Sequence, residues 1–487
     1  MAGQAGGRRW LSGTSELANV VGRKLITGLL LAGAWLLGPG AALAPQTAQA
    51  EAAPPSHRSL TWHPYLAASF GTRLGARALP PGDPAAAEVG EGVYLRAGVA
   101  GGDGRLCGEV AAALDATAVP FRAPGASSMP DWDPEALGLE SPARLRARLE
   151  RAWVGYGSGL PCRREPWPDA ARGETAWQAW VGWRDLGFGT GTGLLDLPRD
   201  PGFLQVGGEV RWAWGAYRKV GGRLGSGQRW LLGQQLWIGP LATRWGSVGL
   251  SAYELAVTSG RFAVVPVNWL PLWPAYLSQH LHLGETGNDD ANFYMGAGLR
   301  VDRLFGGDAR LEAEVLVDDM PQLPWIPQVY QLGGRLALTF QERWRVRYTR
   351  VHNFVVTFQA PSLSFVDQGH LLGYPDGPDA DSLAVQWVGR PGAPVESAGV
   401  EWRRRGEGRI GDVWEPAYGG QGLAYGREHE FLSGVVEHSL RLRATFGLPG
   451  EWRLTAEAGP VFNTANHPGV TSVYVGLGLT GALPAWR

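Results

Sequence analysis

The sequence predicts an all-β chain closed into a transmembrane antiparallel β-barrel of the outer-membrane kind, and three observations carry that prediction. Glycine and tryptophan are both in excess: 72 of the 487 residues are Gly, and the 23 Trp outnumber the 13 Tyr and the 14 Phe. Long stretches alternate apolar and polar side chains with period 2, the spacing of a strand with one face wet and one face dry. Past the N-terminal region no apolar run is both long and uninterrupted, so strands must make any membrane crossing. Charged residues at 18% and apolar ones at 45% exclude a disordered tail protein, a coiled coil and a polytopic helical membrane protein. The only lysines are Lys24 and Lys219, so almost every basic group is Arg.

Residues 1–50 read as an export signal. Arg8, Arg9, Arg23 and Lys24 precede the apolar run Leu25 to Leu37, Pro39 and Gly40 break it, and Ala48-Gln49-Ala50 offers a small-x-small cleavage site. Removing them takes four basic groups and Glu16, which leaves residues 51–487, a single barrel domain, with a small acidic excess. That balance argues against nucleic acid as a partner. In an exported chain Cys107 and Cys162 can persist either as a disulfide or as two free thiols, and the sequence leaves both open.

Ser141-Pro142 forms an N-cap and first-turn pair, after which Leu145, Leu149, Ala152 and Trp153 recur at helical spacing. A short amphipathic helix is therefore expected within 131–160, following the Pro-rich loop Ala123 to Asp133 and placed at the barrel's mouth, in the lumen or in an outer loop. The longest later uncharged stretch, Phe262 to Gly284, is interrupted by Pro266, Pro271 and Pro274 and carries Asn268, Gln279, His280 and His282. It is not expected to span as a helix.

Strands follow. Leu311, Ala313, Val315 and Val317 oppose Arg310, Glu312 and Glu314; Trp344, Val346 and Tyr348 oppose Arg345, Arg347 and Thr349. Leu440, Leu442, Ala444 and Phe446 oppose Arg441, Arg443 and Thr445; Trp452, Leu454 and Ala456 oppose Arg453, Thr455 and Glu457. Val473, Val475, Leu477 and Leu479 alternate with Ser472, Tyr474, Gly476 and Gly478. A soluble sandwich alternates as well. Here Arg, Glu and Thr ladders stand against Leu, Val and Ala with Trp near strand ends, the arrangement of a wet lumen and a lipid-facing band with aromatic girdles. At about 24 residues per strand and connection the mature chain supplies roughly 16 to 20 strands.

The chemistry points away from catalysis. No Gly-x-Ser-x-Gly elbow is present, and His352-Asn353 supplies residue types without a nucleophile. Nine His and two Cys form no metal-ligand cluster, and acidic pairs such as Asp289-Asp290 and Asp318-Asp319 are more often solvated than calcium-bound. No enzyme, cofactor or metal is expected. The most distinctive stretch is Gly369-His370 to Leu383, where Gly373, Pro375, Gly377 and Pro378 fix a tight path and Asp376, Asp379 and Asp381 accept hydrogen bonds. It precedes Arg403, Arg404, Arg405 and Glu407, and the expectation is that the loop folds into the lumen and pairs with those arginines.

On these residues the chain resembles the capsule assembly Wzi family of outer-membrane proteins, which carries a similar Gly-His-x-x-Gly to Gly-Pro-Asp-Ala-Asp segment ahead of an Arg-x-Gly-Glu-Gly-like turn. The likeness extends from about Gln228 to Leu479, taking in Val317-Asp318-Asp319 and Arg347 to Arg350; where the family has a Trp-Gly-Pro-Gly element, this chain has Trp237-Ile-Gly-Pro-Leu241. The resemblance implies a wide outer-membrane barrel acting as a surface lectin that anchors capsular polysaccharide, without enzymatic residues. Independently of it, lumenal Arg345 and Arg347 suit acidic sugars, with Trp faces available for stacking on sugar rings. The expected ligand-binding set is His370, Asp376, Asp379, Asp381, Arg403, Arg404, Arg405, Glu407, Arg345 and Arg347. A diffusion porin and a secreted glycan-binding β-protein are the other function classes the sequence admits.

Overall fold

A computed structural model describes residues 61–74, 92–103, 105–115, 146–158, 175–184, 188, 194, 203–224, 229–283, 291–318, 332–352, 366–367, 370–371, 374, 379–390, 392–406, 431–432 and 434–482. The export signal at 1–50 lies outside the described residues.

The period-2 stretches form strands throughout: β1 (Thr61–Leu74), β2 (Gly92–Gly102), β3 (Leu106–Asp115), β4 (Arg146–Ser158), β5 (Ala176–Arg184), β6 (Phe203–Trp212), β7 (Gly215–Arg223), β8 (Trp230–Thr243), β9 (Gly246–Thr258), β10 (Ala291–Asp302), β11 (Ala309–Asp318), β12 (Leu332–Phe340), β13 (Trp344–Val351), β14 (Val366–Asp367), β15 (His370–Leu371), β16 (Ala380–Val388), β17 (Val395–Arg405), β18 (Glu437–Leu448), β19 (Trp452–Phe462) and β20 (Thr471–Ala482). All but the small β14–β15 hairpin join one 18-stranded antiparallel sheet in chain order, β13 pairing with β16. Tyr65 stands opposite Ala482 and Leu74 opposite Val473, so β1 zips to β20 and the sheet closes. Closure leaves no edge strand, the condition hydrocarbon imposes on backbone N–H and C=O groups. The fold is the closed antiparallel barrel the sequence predicts, within the expected strand range.

Directly opposed residues share a face, so the register carries the facing around the wall. One row runs Val346, Val385, Val400, Leu442 and Ala458; the neighbouring row runs Arg345, Gln386, Gly399, Arg443 and Glu457. The apolar row faces outward, with Leu442 63% exposed on the barrel's outer surface. Val110, Val154, Val181, Val206, Leu336 and Leu477 continue that apolar exterior on other strands. The polar row lines the lumen.

At one end of the barrel most connections are short turns, as between β2 and β3, β6 and β7, β8 and β9, β12 and β13, and β18 and β19, while the connection from β4 (ending at Ser158) to β5 (starting at Ala176) is long. Thr61 pairs with Gly102 and Ala482 with Tyr65, so both ends of the sheet stand on that side. The other end carries long connections, among them β3–β4, β9–β10 and β17–β18. This division matches the short periplasmic turns and longer extracellular loops of outer-membrane barrels.

Of the stretch 131–160 in which a helix is expected, the part outside 146–158, Leu145 included, lies outside the described residues, while residues 146–158 are β4, so Leu149, Ala152 and Trp153 belong to a strand and not to a helix. The cause is a bulge. The β3–β4 register shifts as Ala111 pairs with Arg151 but Ala112 with Leu149, and the extra residue brings Leu149 and Ala152 to the same outward face. A spacing of three across a bulge imitates the i, i+3 spacing of a helix. Helical turns occur instead in the β9–β10 connection: α1 (Gly260–Ala263), a 3-10 turn (Pro266–Trp269) and α2 (Ala275–His280). No helix among the described residues is long and apolar enough to cross a membrane.

Candidate functional site: an arginine wall in the lumen

The lumen has two unlike walls. On β2 to β9 the inward side chains are packed together. Tyr94 donates to both oxygens of Glu150 at 2.7 and 2.8 Å, and the Arg96 guanidinium lies 3.7 Å from the same carboxylate. Glu109 accepts from Tyr65 and, at 3.2 Å, from the Trp153 indole, with Arg151 at 3.8 Å. Arg184 lies over Trp153 and Trp180, 4.3 and 4.5 Å from the ring centroids. Glu209 holds Arg211 and Arg218. Glu109, Glu150 and Arg151 are buried, each compensated by its partners. Packing is close enough that a Cβ on Gly207 would stand 2.4 Å from the Trp180 ring. Phe188, from the β5–β6 connection, lies over inward-facing Gly233 beside Val220 and Leu255.

On β12 to β18 the inward residues toward the short-turn end are spaced and wet, whereas Thr349, Ser382, Arg403, Arg405 and Ser439 nearer the long-loop end are buried. Small residues alternate with the arginines: Ala337 pairs with Arg347, Arg347 with Ala384, Gln386 with Gly399 and Gly399 with Arg443. Arg345 and Arg443 are exposed, and no hydrogen bond or ion pair among the described residues engages either of them. Arg347 faces Glu401 at 3.7 Å with both side chains partly exposed, while Arg441 is held by Glu457 at 3.1 Å and lies over the Tyr474 ring. Three strand spacings separate Arg345 from Arg443, about 14 Å. Planar guanidinium forks with free donors on a wet wall bind carboxylates and phosphates well.

The loop-and-arginine motif is brought together only in part, and with a different facing. Asp381 does pair with Arg404, accepting from Nε at 2.9 Å and from Nη2 at 2.5 Å, and it also accepts from the Tyr348 hydroxyl. The pair stands on the outer wall, not in the lumen: Ser382 and Arg403 are the inward partners, so their neighbours Asp381 and Arg404 point outward. Arg404 lies over Trp402, which stacks with His438. Arg405 points inward to Glu437, and buried Asp379, at φ +58°, accepts the Leu432 N–H at 2.6 Å. These contacts pin the long-loop rim of β16 to β18 and leave Asp379 and Asp381 engaged. His370 stands in β15 opposite Asp367. Asp376 and Glu407 lie outside the described residues, as does Cys162; Cys107 is buried with Trp153 and Trp180.

The sequence names Arg345 and Arg347 as ligand candidates and sets Arg443 on the same polar face without including it among them, while Gln386, in the row of Arg345 and Arg443, is missed. The signal was present, since Arg443 alternates with Leu442 as Arg345 does with Val346. The aromatic platform expected for sugar rings is not on this wall: Trp344 and Trp402 face outward, while Trp153 and Trp180 are inward but covered by Arg184. Among the described residues no group of three His, Cys, Asp or Glu is arranged to hold a metal ion.

No protein-family model matches the chain, and no curated protein matches it. Solved structures to which the chain is similar include Wzi of Escherichia coli, a carbohydrate-binding β-barrel involved in group 1 capsule assembly, at 10% identity and TM-score 0.48, covering 85% of this chain and 83% of that one. They also include OprB of Pseudomonas putida, at 10% identity and TM-score 0.36 over 87% and 94% of the two chains, and OccAB4 of Acinetobacter baumannii, at 9% and 0.41 over 89% and 100%.

Proposed function

We propose that the protein is an exported, non-enzymatic outer-membrane barrel that holds an acidic surface polysaccharide through its lumenal arginine wall. One observation carries the reading: Arg345 and Arg443 project into the lumen unengaged by any described residue, with Arg347 partly exposed next to Arg345 on β13 and the small residues Ala337, Ala384 and Gly399 beside them. Exposed guanidinium groups carry no share of the barrel's packing, and their chemistry is the capture of anions. Recognition rests on charge and not on ring stacking, because among the described residues the inward tryptophans Trp153, Trp180 and Trp237 are already covered. The same unengaged arginines beside Ala384 and Gly399 favour a second reading, a diffusion path for small anionic solutes.

The test replaces Arg345, Arg347 and Arg443 together by Gln and follows two quantities, cell-bound against released polysaccharide and conductance in planar bilayers. The anchor reading expects polymer to be made but shed. Altered ion selectivity with polymer retention unchanged would reject the anchor in favour of the channel. Recovery of the mature chain from the periplasm without detergent would reject both.

A further inference from the structure

The β9–β10 connection does not rise away from the barrel; it folds down over the outer wall. Its footing is polar. Along β8 the outward residues are Leu232, Gln234 and Leu236, and along β9 they are Ala252, Glu254 and Ala256, so a polar group interrupts each apolar series. Lys219 pairs with Gln234 and Gln234 with Glu254, which sets three polar side chains side by side on a face that elsewhere meets hydrocarbon. Left bare, such groups are costly in lipid.

The connection satisfies them. The Trp273 carbonyl accepts from Lys219 Nζ at 3.2 Å and from Gln234 Nε2 at 3.1 Å. Glu254 accepts the backbone N–H groups of Ala275 and Tyr276 at 2.9 and 2.7 Å, and the Tyr217 hydroxyl accepts that of Leu272. Around these bonds Phe262, Ala275, Trp269 and Tyr276 pack on Leu232, Ala256 and Phe293. Trp269 lies across Gly221, where a Cβ would meet its ring at 2.4 Å, so the wall is shaped to receive it. The segment also closes its own polar groups: Asn268, fully buried, donates to the Phe262 carbonyl, and the Trp269 indole donates to that of Ala263.

Between exposed Arg261 at one end and exposed His280 and His282 at the other, what this segment turns outward is apolar. Val264 is 70% exposed and Leu272 64%, with Leu270 and Leu281 beside them, and no charge occurs from Phe262 to Gly284. We propose that residues 259–283 form a flap whose outer surface contacts membrane lipid, replacing the wall of β7 to β10 as the hydrocarbon-facing surface and sealing Lys219, Gln234 and Glu254 beneath it. The occupant is acyl chain because the flap continues the apolar exterior of β5 and β6, where Val181 and Val206 are exposed, and because Asn268 and Ser278 are buried while its exposed polar side chains, Arg261, His280 and His282, are confined to its two ends.

The test places a nitroxide on Leu272→Cys and Val264→Cys, one at a time, in the full chain with both native cysteines changed to Ala, folded in phosphatidylcholine vesicles. Collision with oxygen reports hydrocarbon, and collision with a nickel chelate reports water. Leu442→Cys and Arg443→Cys supply the lipid and lumen references. Flap labels are expected to follow Leu442, oxygen-rich and with nickel collisions at least several-fold below those at Arg443. Nickel collisions equal to those at Arg443 would overturn the proposal by placing the flap in water. Low collision with both probes would overturn it too, since a second copy or another protein surface then covers the flap. Where the cysteine-free chain does not fold, Leu272→Arg in the otherwise native chain serves: lipid contact predicts a several-fold loss of folded yield in vesicles, and an unchanged yield overturns the proposal.

Discussion

The two lumenal walls are made from the same side chains and put to opposite uses. On β2 to β6 an inward Arg is buried against a carboxylate and an aromatic ring, as Arg151 is with Glu109 and Arg184 is with Trp153 and Trp180. Toward the short-turn end of β13 to β18 an inward Arg reaches solvent, as Arg345 does between Thr339 and Gln386 and Arg443 between Gly399 and Glu457, while Arg403 and Arg405 nearer the long-loop end are buried. The neighbours decide between the two. Large inward residues exclude water and make each charge depend on its partner, whereas small ones leave a guanidinium hydrated and free to bind. The first wall therefore carries stability and the second carries the means of recognition.

The sharpest way to break that contrast is to remove a carboxylate from the packed wall. Glu109→Ala leaves the buried Arg151 guanidinium and the Trp153 indole without their acceptor, and removing one partner of a buried pair costs about 3–5 kcal/mol. Urea unfolding of the refolded barrel in vesicles should show a loss of that order. Arg443→Ala on the other wall should change stability by no more than about 0.5 kcal/mol, the usual range for an exposed site. Equal losses would mean that the walls do not differ as described.

The next effect tests facing within the basic wall. Leu442→Arg sets a charge on the outer surface and should cost roughly 2–4 kcal/mol near mid-bilayer, although the next residue is already Arg. The same unfolding measurement checks it; a mild effect would reverse the assignment of lipid and lumen faces.

Those two rows were legible in the sequence because period 2 is a local property: Val346 beside Arg345, or Leu442 beside Arg443, announces both strand and facing. Closure and strand range followed from the same signal and from chain length. The packed wall was not legible, since Glu109 meets Trp153 from a different strand and Tyr94 meets Glu150 across the β3–β4 bulge, contacts that no local spacing encodes. That bulge also turned a strand into an apparent helix. The Asp381–Arg404 pair was legible as a pair, but its facing was not, because parity had to be counted from Ser382. The uncharged, proline-broken stretch from Phe262 was visible as an oddity. Its role needed Gln234 and Glu254, polar residues out of step on two other strands.

A smaller effect separates charge that recognises from charge that packs. If the basic wall sets the lumen's potential, changing Arg345, Arg347 and Arg443 to Gln should lower anion over cation permeability in bilayers that conduct, read as a shift in reversal potential under a salt gradient. Arg151→Gln, in the packed wall, should leave the reversal potential where it was and lower the unfolding midpoint. A shift from Arg151→Gln as large as that from the triple change would show that both walls face the ion path.

The smallest effect concerns a carboxylate outside both walls, where exposure should leave little energy to lose. Asp103, in the β2–β3 turn, is partly exposed and accepts the backbone N–H groups of Leu106 at 2.7 Å and Arg105 at 2.8 Å. The bond from Leu106, then that from Arg105, holds its pKa below the ordinary aspartate value of about 3.9. A depressed folded pKa stabilises the turn above the unfolded value, and that contribution is lost as pH falls through the folded one. Carboxyl titration by NMR in detergent should place Asp103 below a reference peptide. Asp103→Asn keeps an oxygen acceptor for both N–H groups but not the charge, so it should abolish the acid-side slope this residue adds, lowering the unfolding midpoint slightly at pH 7 and leaving it unchanged at a pH below the folded pKa. A midpoint at pH 7 lowered as far as by Glu109→Ala would show that exposed turn charges bear the barrel's stability, and the division between packed and wet charge would fail at its easiest point.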